Sequence, residues 1–129
     1  MVAPTVLVLD DNAAFVRVVQ AAAAQSGYTA FATDDPDAFV AELSRPEVVA
    51  AIVDCVVGDR NGLGILSAIG DQRADLPVLV VSGYGETMLS QAEQIARMRN
   101  LSRLSTLAKP FGLDALRGFL SGARADASA

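Results

Sequence analysis

Five short apolar runs, each followed by a segment with helical spacing, constrain this chain more than any other feature. TVLVL (5–9) precedes FVRVVQAAAAQ (15–25), a weaker strand at 28–32 precedes a short helix through Leu43, and VVAAIVD (48–54) precedes a helix from Gly62 to Ile69. LPVLVVS (76–82) precedes a helix whose apolar residues Met88, Leu89, Ala92, Ile95 and Ala96 share one face, and Leu104 to Ala108 precedes a last helix lined by Leu113, Leu116, Phe119 and Leu120. Asn12 and the pair Asp35-Pro36 supply helix starts, and Gly27 a helix end. Runs that are apolar throughout suit strands covered on both faces, and a parallel crossover needs a covering helix. The pattern predicts an α/β fold, a flavodoxin-like doubly wound five-stranded parallel sheet in the order 2-1-3-4-5 with helices on both faces. Residues 1–120 are expected to form this unit, and the small, polar stretch 121–129 a flexible C-terminal tail.

Such a sheet gathers functional groups beyond the carboxyl ends of its strands, at the point where strand order reverses, here between the first and third strands. The first ends on Asp10 and Asp11 and the third on Asp54, so three carboxylates converge. At ~4–5 Å and an effective dielectric near 20, each charged pair repels by roughly 3–4 kcal/mol, so the cluster requires a shared proton or a cation. Hard oxygens in a half-open crevice suit Mg²⁺, which favours phosphate as a further partner. The fourth strand ends in Ser82 and the fifth runs into Lys109, groups that would complete a phosphoryl pocket.

Composition removes several classes of function. A net charge of −5 and a pI near 4.5 argue against nucleic acid or an anionic membrane as the main partner. The absence of histidine excludes a Ser-His-Asp or Cys-His unit and a His-ligated zinc. The lone Cys55 has no disulfide partner and reads as a small buried residue, and no apolar run approaches the ~20 residues that span a bilayer. A cytoplasmic protein is expected. D-D-N after the first strand is not the D-x-D of haloacid-dehalogenase-like phosphatases, and neither a flavodoxin phosphate loop nor a Walker or dinucleotide glycine motif is present.

The acidic pair, Asp54, Ser82 and Lys109-Pro110, in that order at successive strand ends and with Gly62 beyond Asp54, resemble the receiver domain of two-component response regulators over residues 4–120. The resemblance implies that Asp54 accepts a phosphoryl group from a phosphohistidine on a sensor histidine kinase or phosphotransfer protein. It implies Mg²⁺ held by Asp11 directly, Asp10 in the outer shell, Asp54 and the Val56 carbonyl, with Ser82 and Lys109 holding phosphoryl oxygens. The expected product is altered binding to a downstream protein partner or to an output domain missing here, with no activity on other substrates. A degenerate receiver, working as a phosphorylation-independent interaction module, is the alternative reading.

Departures from the family pattern carry information as well. Thr106 stands where receivers usually place an aromatic switch residue, which turns attention to Tyr84 as the moving ring. Gly58 replaces the common proline beyond the acceptor, and Gly83 the usual alanine after the hydroxyl residue. The stretch from Ser82 to Phe111 is similar to receivers of cyclic-di-GMP phosphodiesterase regulators. In receivers, the side chains two positions after the acceptor and two after the hydroxyl residue flank the path of the hydrolytic water; here they are Val56 and Tyr84.

Overall fold

The computed structural model describes residues 3–58, 60–83 and 86–128. Tyr84, the expected moving ring, lies outside them. In chain order the elements are β1 (Thr5–Leu9), α1 (Ala13–Gln25), β2 (Thr29–Thr33), α2 (Pro36–Glu42), β3 (Val48–Asp54), β4 (Val56–Val57) and β5 (Arg60–Asn61). These are followed by α3 (Gly64–Gln72), β6 (Val78–Ser82), α4 (Glu86–Met98), β7 (Leu104–Ala108) and α5 (Leu113–Ser128). Strands β2-β1-β3-β6-β7 form one sheet in which every neighbouring pair is parallel. With the short antiparallel hairpin β4–β5 set aside, this is the expected 2-1-3-4-5 order.

The period-two alternation of the strands divides the core into two layers. Leu7, Leu9, Ala51, Val53, Val78 and Val80 pack with Phe39, Leu66, Ile69 and Leu89 of α2, α3 and α4. Val6, Val8, Ala50, Ile52, Leu79 and Val81 pack with Val19, Ala23, Leu116 and Leu120 of α1 and α5. Because both faces of β1, β3 and β6 are covered, those strands read as unbroken apolar runs, whereas the edge strands β2 and β7 stay partly exposed. The start of α1 is set by Asn12, whose side-chain oxygen accepts the Phe15 N–H at 3.0 Å. Asp35 does the same for α2 toward Asp37 N–H at 3.0 Å, with Pro36 in the first turn.

Two features differ from the sequence reading. The β4–β5 hairpin occupies what periodicity left as connection between the third strand and the third helix. Residues 121–128, expected as a flexible tail, continue α5, and Ala123 is buried on the sheet side of that helix. No proline interrupts the run, and its alanines favour helix.

The close of the hairpin depends on Gly62, whose N–H donates to the Cys55 carbonyl at 2.7 Å while its α-carbon faces the Asp54 carbonyl. A β-carbon there would overlap that oxygen. Gly62→Ala is therefore expected to destabilise the fold by about 1–3 kcal/mol, measured as a lowered urea midpoint with unchanged slope. An unaltered midpoint would mean that the hairpin shifts at no cost.

Candidate functional site

The parallel sheet carries Asp10, Asp54, Ser82 and Lys109 to one end because each ends or follows a strand running the same way. Asp10 and Asp54 are buried, 3% and 6% exposed, whereas Asp11 is exposed. One ligand oxygen from each of Asp10, Asp11 and Asp54 lies within 4.8 Å of the others. Burying such a group would be costly without compensation, and the compensation is visible.

The Lys109 ammonium bridges the two buried carboxylates, donating to Asp10 Oδ2 at 3.0 Å and to Asp54 Oδ2 at 2.9 Å. Backbone amides hold each carboxylate as well. Asn12 N–H donates to Asp10 Oδ1 at 2.8 Å, Val56 N–H to Asp54 Oδ1 at 3.0 Å, and Gly58 N–H to Asp11 Oδ2 at 2.8 Å. The Phe15 ring covers the ammonium, its centroid 4.3 Å from Nζ, and is itself met edge-on by Phe111 at 5.9 Å.

Electrostatics follow from this packing. Burial pushes the Asp10 carboxyl above its usual range, against the opposing pull of the Asn12 amide and of Lys109, and the Asp54 charge adds to the rise. Burial alone would lower the Lys109 ammonium, but its hydrogen bonds to Asp54 and Asp10, and their charges, outweigh that and leave it raised.

Ser82, fully buried at the end of β6, pairs in register with Ala108 of β7, and its carbonyl accepts the Lys109 N–H at 2.7 Å. Its hydroxyl works against the rise of the neighbouring Cys55 thiol. That thiol is pushed up to about 11, by burial first and by the Asp54 charge second. Cys55 is therefore expected to resist iodoacetamide at pH 8 in the native protein and to react once urea unfolds the chain. Rapid native labelling, read by intact mass, would contradict this environment.

Of the residues singled out from sequence, Asp10, Asp11, Asp54 and Lys109 meet at one point. Val56 sits on β4 directly beyond Asp54, and Ser82 ends the adjacent strand. Phe15 and the Gly58 amide were not singled out as site groups. Phe15 reads in sequence as an ordinary apolar residue of α1, and Gly58 only as a departure from a family pattern. A half-open set of hard carboxylate oxygens with a neighbouring ammonium has the chemistry to hold a divalent cation and a phosphoryl group.

The family model described as the response regulator receiver domain matches residues 6–121. The chain belongs to this family. Among curated relatives of this receiver, the DNA-binding transcriptional regulator NtrC of Rhizobium meliloti (strain 1021) is 29% identical over 126 residues, covering 98% of this chain and 25% of that protein. The acid tolerance regulatory protein ActR of Sinorhizobium medicae (strain WSM419) is 28% identical over 110 residues, covering 85% and 54%. The receiver thus spans about a quarter to a half of the length of these relatives. In fold it is similar to a response regulator receiver protein from Pseudoalteromonas atlantica, with a TM-score of 0.82 at 14% identity over 96% of this chain and 99% of that one. Receivers are signalling modules of two-component systems. Among the described residues, no helix is long and apolar enough to cross a membrane.

Proposed function

We propose that this receiver takes a phosphoryl group from a phosphohistidine of a sensor histidine kinase or phosphotransfer protein onto Asp54. The single observation that carries the reading is the Asp10–Lys109–Asp54 bridge with Asp11 beside it, a nucleophilic carboxylate held among oxygen donors and one ammonium. Asp10, Asp11, Asp54 and the Val56 carbonyl would hold Mg²⁺, which when bound supplies charge neutralisation for the incoming phosphoryl oxygens.

An Asp54 carboxylate oxygen attacks phosphorus as the P–N bond to the histidine breaks, and the bonding pair stays on the departing imidazole nitrogen, which takes up a proton from solvent. Lys109 turns part of its hydrogen bonding to the phosphoryl oxygens, and the Ser82 hydroxyl donates to another of them. The Phe15 ring keeps the ammonium from swinging into solvent. Catalysis by the chain is confined to its own phosphorylation and dephosphorylation, within a receiver unit that includes the whole of α5, in the cytoplasm. The downstream reader is a protein partner or an output domain. With Thr106 half-buried beside Val80 on β7 and no aromatic ring there, Tyr84 is the residue proposed to report the modified state.

The test is incubation with acetyl phosphate and Mg²⁺, followed by intact mass and peptide mapping. One phosphoryl adduct on Asp54 is expected, absent in Asp54→Asn. An equal adduct in Asp54→Asn, or none in a folded wild type, would favour the phosphorylation-independent module instead.

A further inference from the structure

The connection after the phosphoacceptor is a tight hairpin rather than a free loop. Val56 pairs with Asn61 and Val57 with Arg60, and the chain turns at Gly58. Its φ of +62° is a conformation that glycine adopts without strain. The turn directs the Gly58 N–H at Asp11 Oδ2, 2.8 Å away and 47 positions distant in sequence.

Asp11 needs such a hold more than its two neighbours. Asp10 and Asp54 are buried and each bound both by a backbone amide and by Lys109, whereas Asp11 is exposed and the Gly58 amide is its one hydrogen bond among the described residues. An exposed aspartate left to itself samples several rotamers, and any ligand must then fix one. A carboxylate has lone pairs to spare, so an amide on one oxygen leaves the other for a cation.

Resting on the phosphoacceptor reading above, we infer that Gly58 is a positioning residue of the cation site: its backbone N–H pre-sets the Asp11 carboxylate for a divalent ion. The proline common at this place in receivers has no N–H and holds φ near −65°, so it could do neither part of this work. The hold therefore belongs to this chain's own hairpin. It also makes the position of β4–β5 and the orientation of Asp11 interdependent, since moving one breaks the contact with the other.

Titration with Mg²⁺ alone, by calorimetry at neutral pH, tests this on three proteins whose folding is checked by circular dichroism and urea unfolding. Gly58→Asn keeps the N–H and tolerates positive φ, and a β-carbon there would come no nearer than 4.0 Å to Asp11 Oδ2. It is expected to bind within ~3-fold of wild type. Gly58→Pro is expected to bind ~10-fold or more weakly. Should Gly58→Pro fail to fold, an amide-to-ester replacement at Gly58, made by semisynthesis, removes the N–H while leaving backbone and side chain otherwise unchanged, and carries the same expectation. Equal or tighter Mg²⁺ binding without the N–H overturns the inference alone, as does equal weakening in Gly58→Asn. A folded wild type that binds no Mg²⁺ overturns the inference and the proposed cation site together.

Discussion

Replacement of Lys109 by methionine is expected to lower the stability of the metal-free protein by about 3–5 kcal/mol at neutral pH, the usual cost of stripping one partner from a buried ion pair. The Lys109 side chain is 21% exposed and lies between two aspartates whose side chains, counted without their backbone, are 0% and 9% exposed, so water has little access with which to replace it. Against a total of about 5–15 kcal/mol for an ordinary domain, such a loss is large. The pH dependence fixes the cause. A lysine raised in the fold contributes stability fully below its unfolded value of 10.5, lost as pH climbs through the higher folded value. Asp10 works in the other direction: raised by burial, its ionised form is a cost to the fold, and that cost is relieved as pH falls through its folded value. Lys109 is one of the groups that hold Asp10 down, so without it Asp10 rises further and takes up a proton at higher pH. The deficit of Lys109→Met should therefore shrink between pH 7 and pH 5. Millimolar Mg²⁺ at pH 7 should restore part of it, and raise the melting temperature of the variant more than that of wild type. Urea unfolding at both pH values, with and without Mg²⁺, measures all of this. A deficit independent of pH and of Mg²⁺ would show that the aliphatic stem of Lys109 matters and its charge does not.

That counter-charge was legible in sequence only as a position. A parallel sheet sends all strand ends to one side, so Asp10, Asp11, Asp54, Ser82 and Lys109 could be placed together once five strand–helix units were recognised. Strands covered on both faces, β1, β3 and β6, were legible for the same reason that they are buried: apart from Thr5, Asp54 and Ser82 at their ends, every residue is apolar. The β4–β5 hairpin was not, because two residues a side leave no period to detect and its closure turns on the backbone of Gly58 and the close approach of Gly62. Contacts that depend on that hairpin, above all Gly58 N–H to Asp11, were hidden with it. Phe15 was hidden for a different reason. A phenylalanine in the first turn of α1 fits the apolar face of that helix equally well whether it meets only the core or also caps an ammonium, and its place against Phe111 and Lys109 comes from the β7–α5 connection far along the chain.

Once formed, the aspartyl phosphate at Asp54 is expected to outlast that of a receiver with polar residues beside the acceptor by about 10- to 100-fold, equivalent to ~1.4–2.7 kcal/mol in the hydrolytic barrier. Hydrolysis needs a water aligned behind phosphorus, and a nearby carboxylate or amide that accepts a hydrogen bond from that water assists it. Val56 supplies no such acceptor: its side chain is aliphatic and packs against the core layer beneath α3 and α4. Tyr84, at the second flanking position of the sequence, carries neither a carboxylate nor an amide. Neither of these two side chains gives the attacking water a carboxylate or amide base. Long persistence suits a receiver that must reach a separate partner, or one whose phosphoryl group is removed by a dedicated phosphatase or returned to its kinase. Decay of phosphorylated wild type, Val56→Asn and Tyr84→Glu, followed by intact mass with Mg²⁺ present, separates the contributions. Each variant should decay faster than wild type, and the double variant faster than either. A wild-type lifetime of seconds, or no acceleration in any variant, would assign control of hydrolysis to another group at the site, with the Lys109 ammonium first in line because it holds Oδ2 of the acceptor itself.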